Sequence, residues 1–241
     1  MFWWMIATVC AFFVKGLCGF ANTLIFTSIL SFQNINMNIS PVELILGYPT
    51  NMILAWKERK FIDWKMCLPL AFLVIAGSIP GALFLKNTDT GIVKMIFGVV
   101  VIFIGLEMLL REFQLKKMRQ SKIALSISGI LSGILCGMFG VGALLGAYVG
   151  RITDNSRAFK ANICMVFLVE NTVRIISYGL FGLITFDTCM KSFWLFPCMF
   201  LGLWLGIFSG KVINEGIAKK IVIFMLLISG VALVSSNCPL I

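Results

Sequence analysis

The stretch VKGLCGFANTLIFTSIL, residues 14–30, decides how this chain is read. It places a lysine, two glycines and an asparagine inside an apolar run over residues 1–32. One membrane crossing needs about 20 apolar residues, so this run is too long for one crossing and too short for two with a turn. Glycines in its middle, Gly16 and Gly19, let the backbone turn there. Lys15 sits just before the turn, and a cation at bilayer depth costs roughly 3 kcal/mol or more. A residue held at that cost faces a partner, a cavity or a permeating anion.

The rest of the chain follows the same pattern. Of 241 residues, 60% are hydrophobic and 12% charged, well below the roughly one quarter charged in soluble domains. Apolar runs recur from end to end, which predicts an all-α polytopic membrane protein with no soluble domain. Single spans are expected near residues 39–56, 66–85, 91–110, 161–186, 192–210 and 217–235. Residues 123–150 form a second long segment with glycines in its middle, at Gly133, Gly137, Gly140 and Gly142. The start, Met1-Phe2-Trp3-Trp4, lacks the basic opening of a secretory signal, and its tryptophans suit an interfacial anchor.

The two glycine-broken segments match each other. Leu17, Cys18 and Gly19 align with Leu135, Cys136 and Gly137. Gly77 and Gly81 correspond to Gly206 and Gly210, and Ile92, Lys94, Ile96 and Gly105 to Ile217, Lys219, Ile221 and Gly230. Three matches in one order imply a duplication: a first repeat over 1–114, a basic connection over 115–122 and a second repeat over 123–241. Charge then orients the chain. If each broken segment is a pair of half-helices that enters and leaves on one face, loops 57–65, 111–122, 151–160 and 211–220 share one side and hold fifteen Lys and Arg. The other side holds three: Lys86, Lys94 and Lys191. That bias puts the basic loops in the cytoplasm, both termini outside and the chain in the plasma membrane. Each repeat then crosses an odd number of times, so the two are inverted, a plan that recurs in secondary transporters. A single kinked crossing is the alternative, and it leaves the charges almost evenly divided.

Several residues could carry chemistry. A half-helix that begins in mid-membrane exposes free N–H groups and a positive dipole end, which together make an anion site. The expected half-helix starts are Gly19–Asn22 and residues 137–142, with Gly137, Gly140 and Gly142 in the second. Asn22 adds an amide there, and the Lys15 ammonium could neutralise a bound anion. Close packing through small residues is the plain reading of the remaining spaced glycines. Glu170 and Arg174 are spaced to pair on one helix, with Asn171 about 100° round from Glu170. Glu43, Asn51 and the Pro49 kink make the span after the first break irregular as well. Glu170 and Glu43 are the candidates for proton coupling. Cys18 and Cys136 occupy matched positions, where a thiol could meet a soft sulfur substrate or simply fill a tight turn.

Exclusions narrow the classes. With no His, the chain lacks imidazole metal sites and Ser-His or Cys-His nucleophile pairs, and it contains no C-x-x-C among its eight Cys. No phosphate-binding G-x-x-x-x-G-K-[ST] occurs, which excludes ATP drive from this chain. The net charge of +10 is spread over short loops, not gathered into a nucleic-acid footprint.

The glycine-rich segment VKGLCGFANTLIFTSIL, its second copy SGILSGILCGMFGVGALLGAYV (128–149), the loop KERKFIDWK (57–65) and the spans GSIPGALFL (77–85) and IFGVVVIFIGLEMLL (96–110) together resemble the TauE/SafE sulfite exporter family, also called the 4-toluene sulfonate uptake permease family. The resemblance implies a secondary carrier of sulfite, sulfonates or related organic anions, without a bound cofactor and not an enzyme. The first copy departs from the family's glycine-richer form at Phe20-Ala21-Asn22. The partners expected are a small anionic substrate and the lipid bilayer; a homodimer is compatible with the sequence. A passive anion channel or accessory subunit is the competing reading, followed by a thiol-dependent membrane enzyme.

Overall fold

The structure, a computed structural model, describes residues 1–31, 39–87, 122–140, 142–153 and 155–210, with scattered positions between 92 and 109 and between 223 and 234. Expectations for the loops at 111–121 and 211–220, and for most of the spans at 91–110 and 217–235, fall outside the described residues. Among the described residues the chain is helical, with no strand. Eight α-helices are described: α1 (Phe2–Cys18), α2 (Asn22–Ser31), α3 (Ile39–Lys57), α4 (Trp64–Asn87), α5 (Lys122–Phe139), α6 (Ala143–Ile152), α7 (Ser156–Leu180) and α8 (Phe186–Ser209). A single 3-10 turn, Arg59–Phe61, lies between α3 and α4.

The surface is that of a protein solvated by lipid. Phe72, Phe193 and Trp204 are each about two-thirds or more exposed, while Lys15, Glu43, Glu170 and Arg174 are at most 4% exposed. This inverts the usual distribution in water. Among the described residues three helices, α4, α7 and α8, are long and apolar enough to cross a membrane.

Two seams of small residues hold α1 to α8 and α4 to α5, the two most extensive helix contacts among the described residues. A Cβ on Gly202 would lie 2.6 Å from the Val9 carbonyl oxygen, and one on Gly16 would lie 2.7 Å from that of Leu203. Gly77 lies against Ile130 and Gly133, and Gly81 against Ile134 and Gly137. In both seams the residue numbers rise together, so each pair is parallel. Only glycine lets backbones approach this closely, as membrane helices do where no hydrophobic drive joins them.

Side-chain contacts set the other directions. Ser40 bonds Tyr178 at 3.0 Å, Arg174 meets Glu43 at 3.2 Å, and Tyr48 lies 3.3 Å from Thr172, so α3 and α7 are antiparallel. The Cys67 thiol lies 3.2 Å from Asn162 Oδ1 and the Ser78 hydroxyl 2.9 Å from Glu170, so α4 and α7 are parallel. At one end the α3–α4 connection meets the start of α7, where the Asp63 N–H donates to Asn162 Oδ1 at 2.7 Å and Arg157 covers the Phe61 ring at 6.0 Å. At the opposite end Lys86 lies 5.6 Å from the Phe181 ring.

The boundaries correct one expected span. The sequence reading carried a helix through 161–186, whereas α7 runs Ser156–Leu180 and Phe186 opens α8. Asn155 caps α7 by accepting the Ala158 N–H at 2.7 Å. The chain then turns at Gly182, with φ of 70°. Thr185 and Thr188 form a capping box that starts α8 six residues before the expected 192.

Candidate functional site

Both broken segments end their first helix in the same way. Gly19 and Gly140 adopt left-handed backbone angles, with φ of 85° and 73°. Each returns its N–H at 2.7 Å to the carbonyl four residues back, Lys15 in one case and Cys136 in the other. After the first break the chain folds back on itself. Trp4, near the start of α1, meets Phe26 of α2 with ring centroids 5.8 Å apart. Twenty-two residues of straight helix would separate those rings by about 33 Å. Ala21 holds φ of 72° within this turn, a conformation that costs a non-glycine residue about 1–2 kcal/mol.

The two breaks meet. The small cleft between them is lined by Phe20, Ala21, Asn22, Thr23 and Leu24 from the first, and Gly140 and Gly142 from the second. Lys15, Glu43, Asn51, Phe167 and Asn171 complete the lining. The first intrahelical bond of α2 runs from the Ile25 N–H to the Ala21 carbonyl, and that of α6 from Gly146 to Gly142. The amides of Asn22, Thr23 and Leu24 therefore precede the helical ladder of α2, as residues 143–145 do in α6. Two positive helix ends converge on one partly open cleft.

Lys15 reaches this space from the last turn of α1. It is 1% exposed, and among the described residues its ammonium has one hydrogen bond, a long one of 3.4 Å to the Gly47 carbonyl. The Phe12 ring lies 5.8 Å away. This is a buried charge with spare donor capacity.

Arg174 is held differently. Its guanidinium donates to the Cys136 carbonyl at 2.9 Å and to Glu43 at 3.2 Å, and it lies 3.9 Å from Glu170. Glu43 uses its other oxygen to accept from the Asn22 amide, so one carboxylate joins the start of α2 to the second break. Gly140 makes room for this pair, since a Cβ there would stand 2.8 Å from Arg174 and 2.9 Å from Glu43. Glu170 accepts from Ser78 at 2.9 Å. The Tyr178 hydroxyl donates to the Gly137 carbonyl at 2.8 Å and accepts from Ser40. The expected partner of Arg174 was Glu170; the closer one is Glu43.

Of the residues singled out in the sequence, Lys15, Asn22, Glu43, Asn51, Gly140, Gly142 and Asn171 line the cavity. Gly19 shapes the first break, and the Cys164 thiol lies 3.4 Å from its carbonyl. Gly137 lies elsewhere: it sits inside α5 against the backbone of Ser78. The second break falls at Gly140–Gly142, inside the expected 137–142; within that range Gly137 serves the seam with α4 and Gly140 makes the turn. The Leu-Cys-Gly match therefore pairs positions that differ in place, with Cys18 ending α1 and Cys136 lying a turn inside α5. Thr23, Phe20 and Phe167 lie in the lining without having been singled out for it. Their signal was adjacency to a break, or helical spacing from Asn171.

The chain matches the family described as Sulfite exporter TauE/SafE over residues 4–233. The chain belongs to the TauE/SafE sulfite exporter family. This is a family of membrane exporters, in keeping with the lipid-facing surface and the membrane-length helices. A protein of Cupriavidus necator described as a probable sulfite/organosulfonate exporter TauE is 24% identical over 153 residues, 62% of this chain and 59% of that relative. The chain thus spans about three fifths of the length of the curated relative it matches. No solved structure matches the chain.

Proposed function

We propose that this TauE/SafE chain is a secondary carrier of small sulfur-containing or organic anions, such as sulfite or sulfonates. Its site is the cavity between the broken helices. The observation that carries this is Lys15: a buried ammonium with, among the described residues, one long hydrogen bond, in the lining where α2 and α6 both begin. Charge-assisted bonds and helix dipoles all favour an oxyanion there.

The helix directions support an inverted repeat. α1 is parallel to α8, α4 is parallel to both α5 and α7, and α7 is antiparallel to α3. Lys191 at the start of α8 lies 6.0 Å from the Trp4 ring, while Gly19 at the end of α1 meets Cys164 near the start of α7. α1 and α5, α3 and α7, and α4 and α8 then run in opposite senses. That arrangement suits alternating access about a central site. The same directions bring loop 57–65 and the start of α7 to one end, in keeping with a cytoplasmic basic face and an opposite placement of the N-terminus. Glu43 is the natural coupling group: protonating it would loosen Asn22 from Arg174 and free the two breaks to move. Glu170, one step further along the same network, is the second.

Counterflow in proteoliposomes loaded with sulfite tests the carrier reading. Saturable uptake stimulated by internal sulfite is expected. Linear flux without trans-stimulation would make the protein a channel.

A further inference from the structure

The cleft has a tied wall and a loose one. On one side Glu43 joins the Asn22 amide to Arg174, and Arg174 donates to the Cys136 carbonyl. Moving that wall breaks buried charge-assisted bonds. Phe20 is wedged as well: its ring meets that of Phe159 with centroids 5.6 Å apart, and it would stand 3.3 Å from a Cβ on Gly146. Phe167 closes the cleft elsewhere. A Cβ on Gly142 would overlap Cε1 and Cζ of its ring, so the ring edge lies directly on the backbone where α6 begins. Gly142 and Phe167 both line the cleft, as does Asn171, one helical turn further along α7. Phe167 is only partly buried, and its ring carries no polar atom, so turning it about its side-chain bonds breaks no hydrogen bond. Room is what the cleft lacks. Its free volume is about 20 Å³, space for about one water. Sulfite and sulfonates are larger, and Phe167 is the wall that can yield to them.

We infer that Phe167 sets the size of anion this chain accepts, with the charged head on Lys15 and the α2 amides and the substituent directed at the ring. This rests on the anion-site reading above and adds a size limit to it. Along α7, Phe167 stands about 6 Å from Asn171, toward the start of the helix. A head group beside Asn171 therefore points its substituent at Phe167. A compact anion gains its space when the ring turns off Gly142. A bulky aryl group needs the volume that the ring itself fills. A misfit of a single methylene in an apolar pocket already corresponds to about 10- to 200-fold in discrimination.

Methanesulfonate and benzenesulfonate carry the same monoanionic head and differ in bulk. Calorimetric titration of the purified full-length protein should find methanesulfonate bound more tightly, by about tenfold or more. In Phe167→Ala the ratio should move toward benzenesulfonate by a similar factor, with methanesulfonate affinity little changed. Phe167→Leu, a milder loss of volume, should move it part of the way, and serves where the alanine variant does not fold. Equal binding of the two anions by the unaltered protein would overturn the size limit and leave the anion site standing; this comparison needs no variant to fold. An unchanged ratio in the folded variants would also overturn it, whether both affinities hold or both fall. Binding of neither anion by the unaltered protein would overturn the anion site itself.

Discussion

Replacing Lys15 by Met separates the binding role of the ammonium from a structural one. Met keeps most of the side chain's length and removes the charge, so packing at the end of α1 is retained. Among the described residues the ammonium gives up one hydrogen bond, of 3.4 Å to the Gly47 carbonyl. A hydrogen bond to a charged group contributes about 1.5–3 kcal/mol. Losing such a bond to the substrate should raise KM for sulfite by about 10- to 150-fold. Stability should move the other way or not at all, since replacing a weakly compensated buried charge by an apolar group is often neutral or stabilising. Initial-rate uptake in proteoliposomes, with thermal unfolding of the same preparation in detergent, measures both. A wild-type KM in Lys15→Met would remove the residue from the site. A collapse in thermal stability would make it structural.

The remaining predictions concern the scaffold. Gly137→Ala should destabilise by about 1–3 kcal/mol, because its Cβ would overlap the Ser78 backbone, whereas Gly179→Ala, with open space at its Cβ, should be neutral or slightly stabilising in thermal unfolding. Ala21→Gly should raise stability, by up to about 1 kcal/mol, by relieving a left-handed alanine; a lower melting temperature would contradict this. Arg174→Ala should yield less folded protein on size-exclusion chromatography than Glu170→Ala/Arg174→Ala, since the single change strands buried carboxylates. Lys60→Cys should react with an impermeant maleimide only from the cytoplasmic face and Lys86→Cys only from the other, and labelling of both from one face would refute the proposed topology.

The all-helical membrane class and the depth of Lys15 and Arg174 were legible because hydropathy and charge are local properties of the sequence. The first break was legible for a similar reason: Gly19 beside Lys15 interrupts an otherwise unbroken apolar run. What required the structure was pairing across distance. Glu43 and Arg174 are 131 residues apart, and Arg174 already had a plausible local partner in Glu170. The glycines of 133–142 could not be sorted by type. Gly137 and Gly140 look alike in sequence, but one admits a neighbouring helix and the other a left-handed turn. The α7–α8 boundary was hidden because YGLFGLITF is apolar throughout, so hydropathy runs on where the backbone turns. Gly182 and the Thr185 cap were the available signals. Asn51 stood out only as an irregularity beside Pro49; nothing local indicated that it would line the cleft between the breaks.

The central claim is that an anion binds where the two breaks meet. A structure determined with selenite, a heavier analogue of sulfite whose selenium scatters anomalously, tests it most directly. A selenium peak is expected within about 4 Å of Lys15 Nζ and beside the amides of Asn22, Thr23 and Leu24, an oxyanion hydrogen bond plus one bond length away. A peak confined to the basic loops, or an empty cavity at saturating selenite, would contradict it.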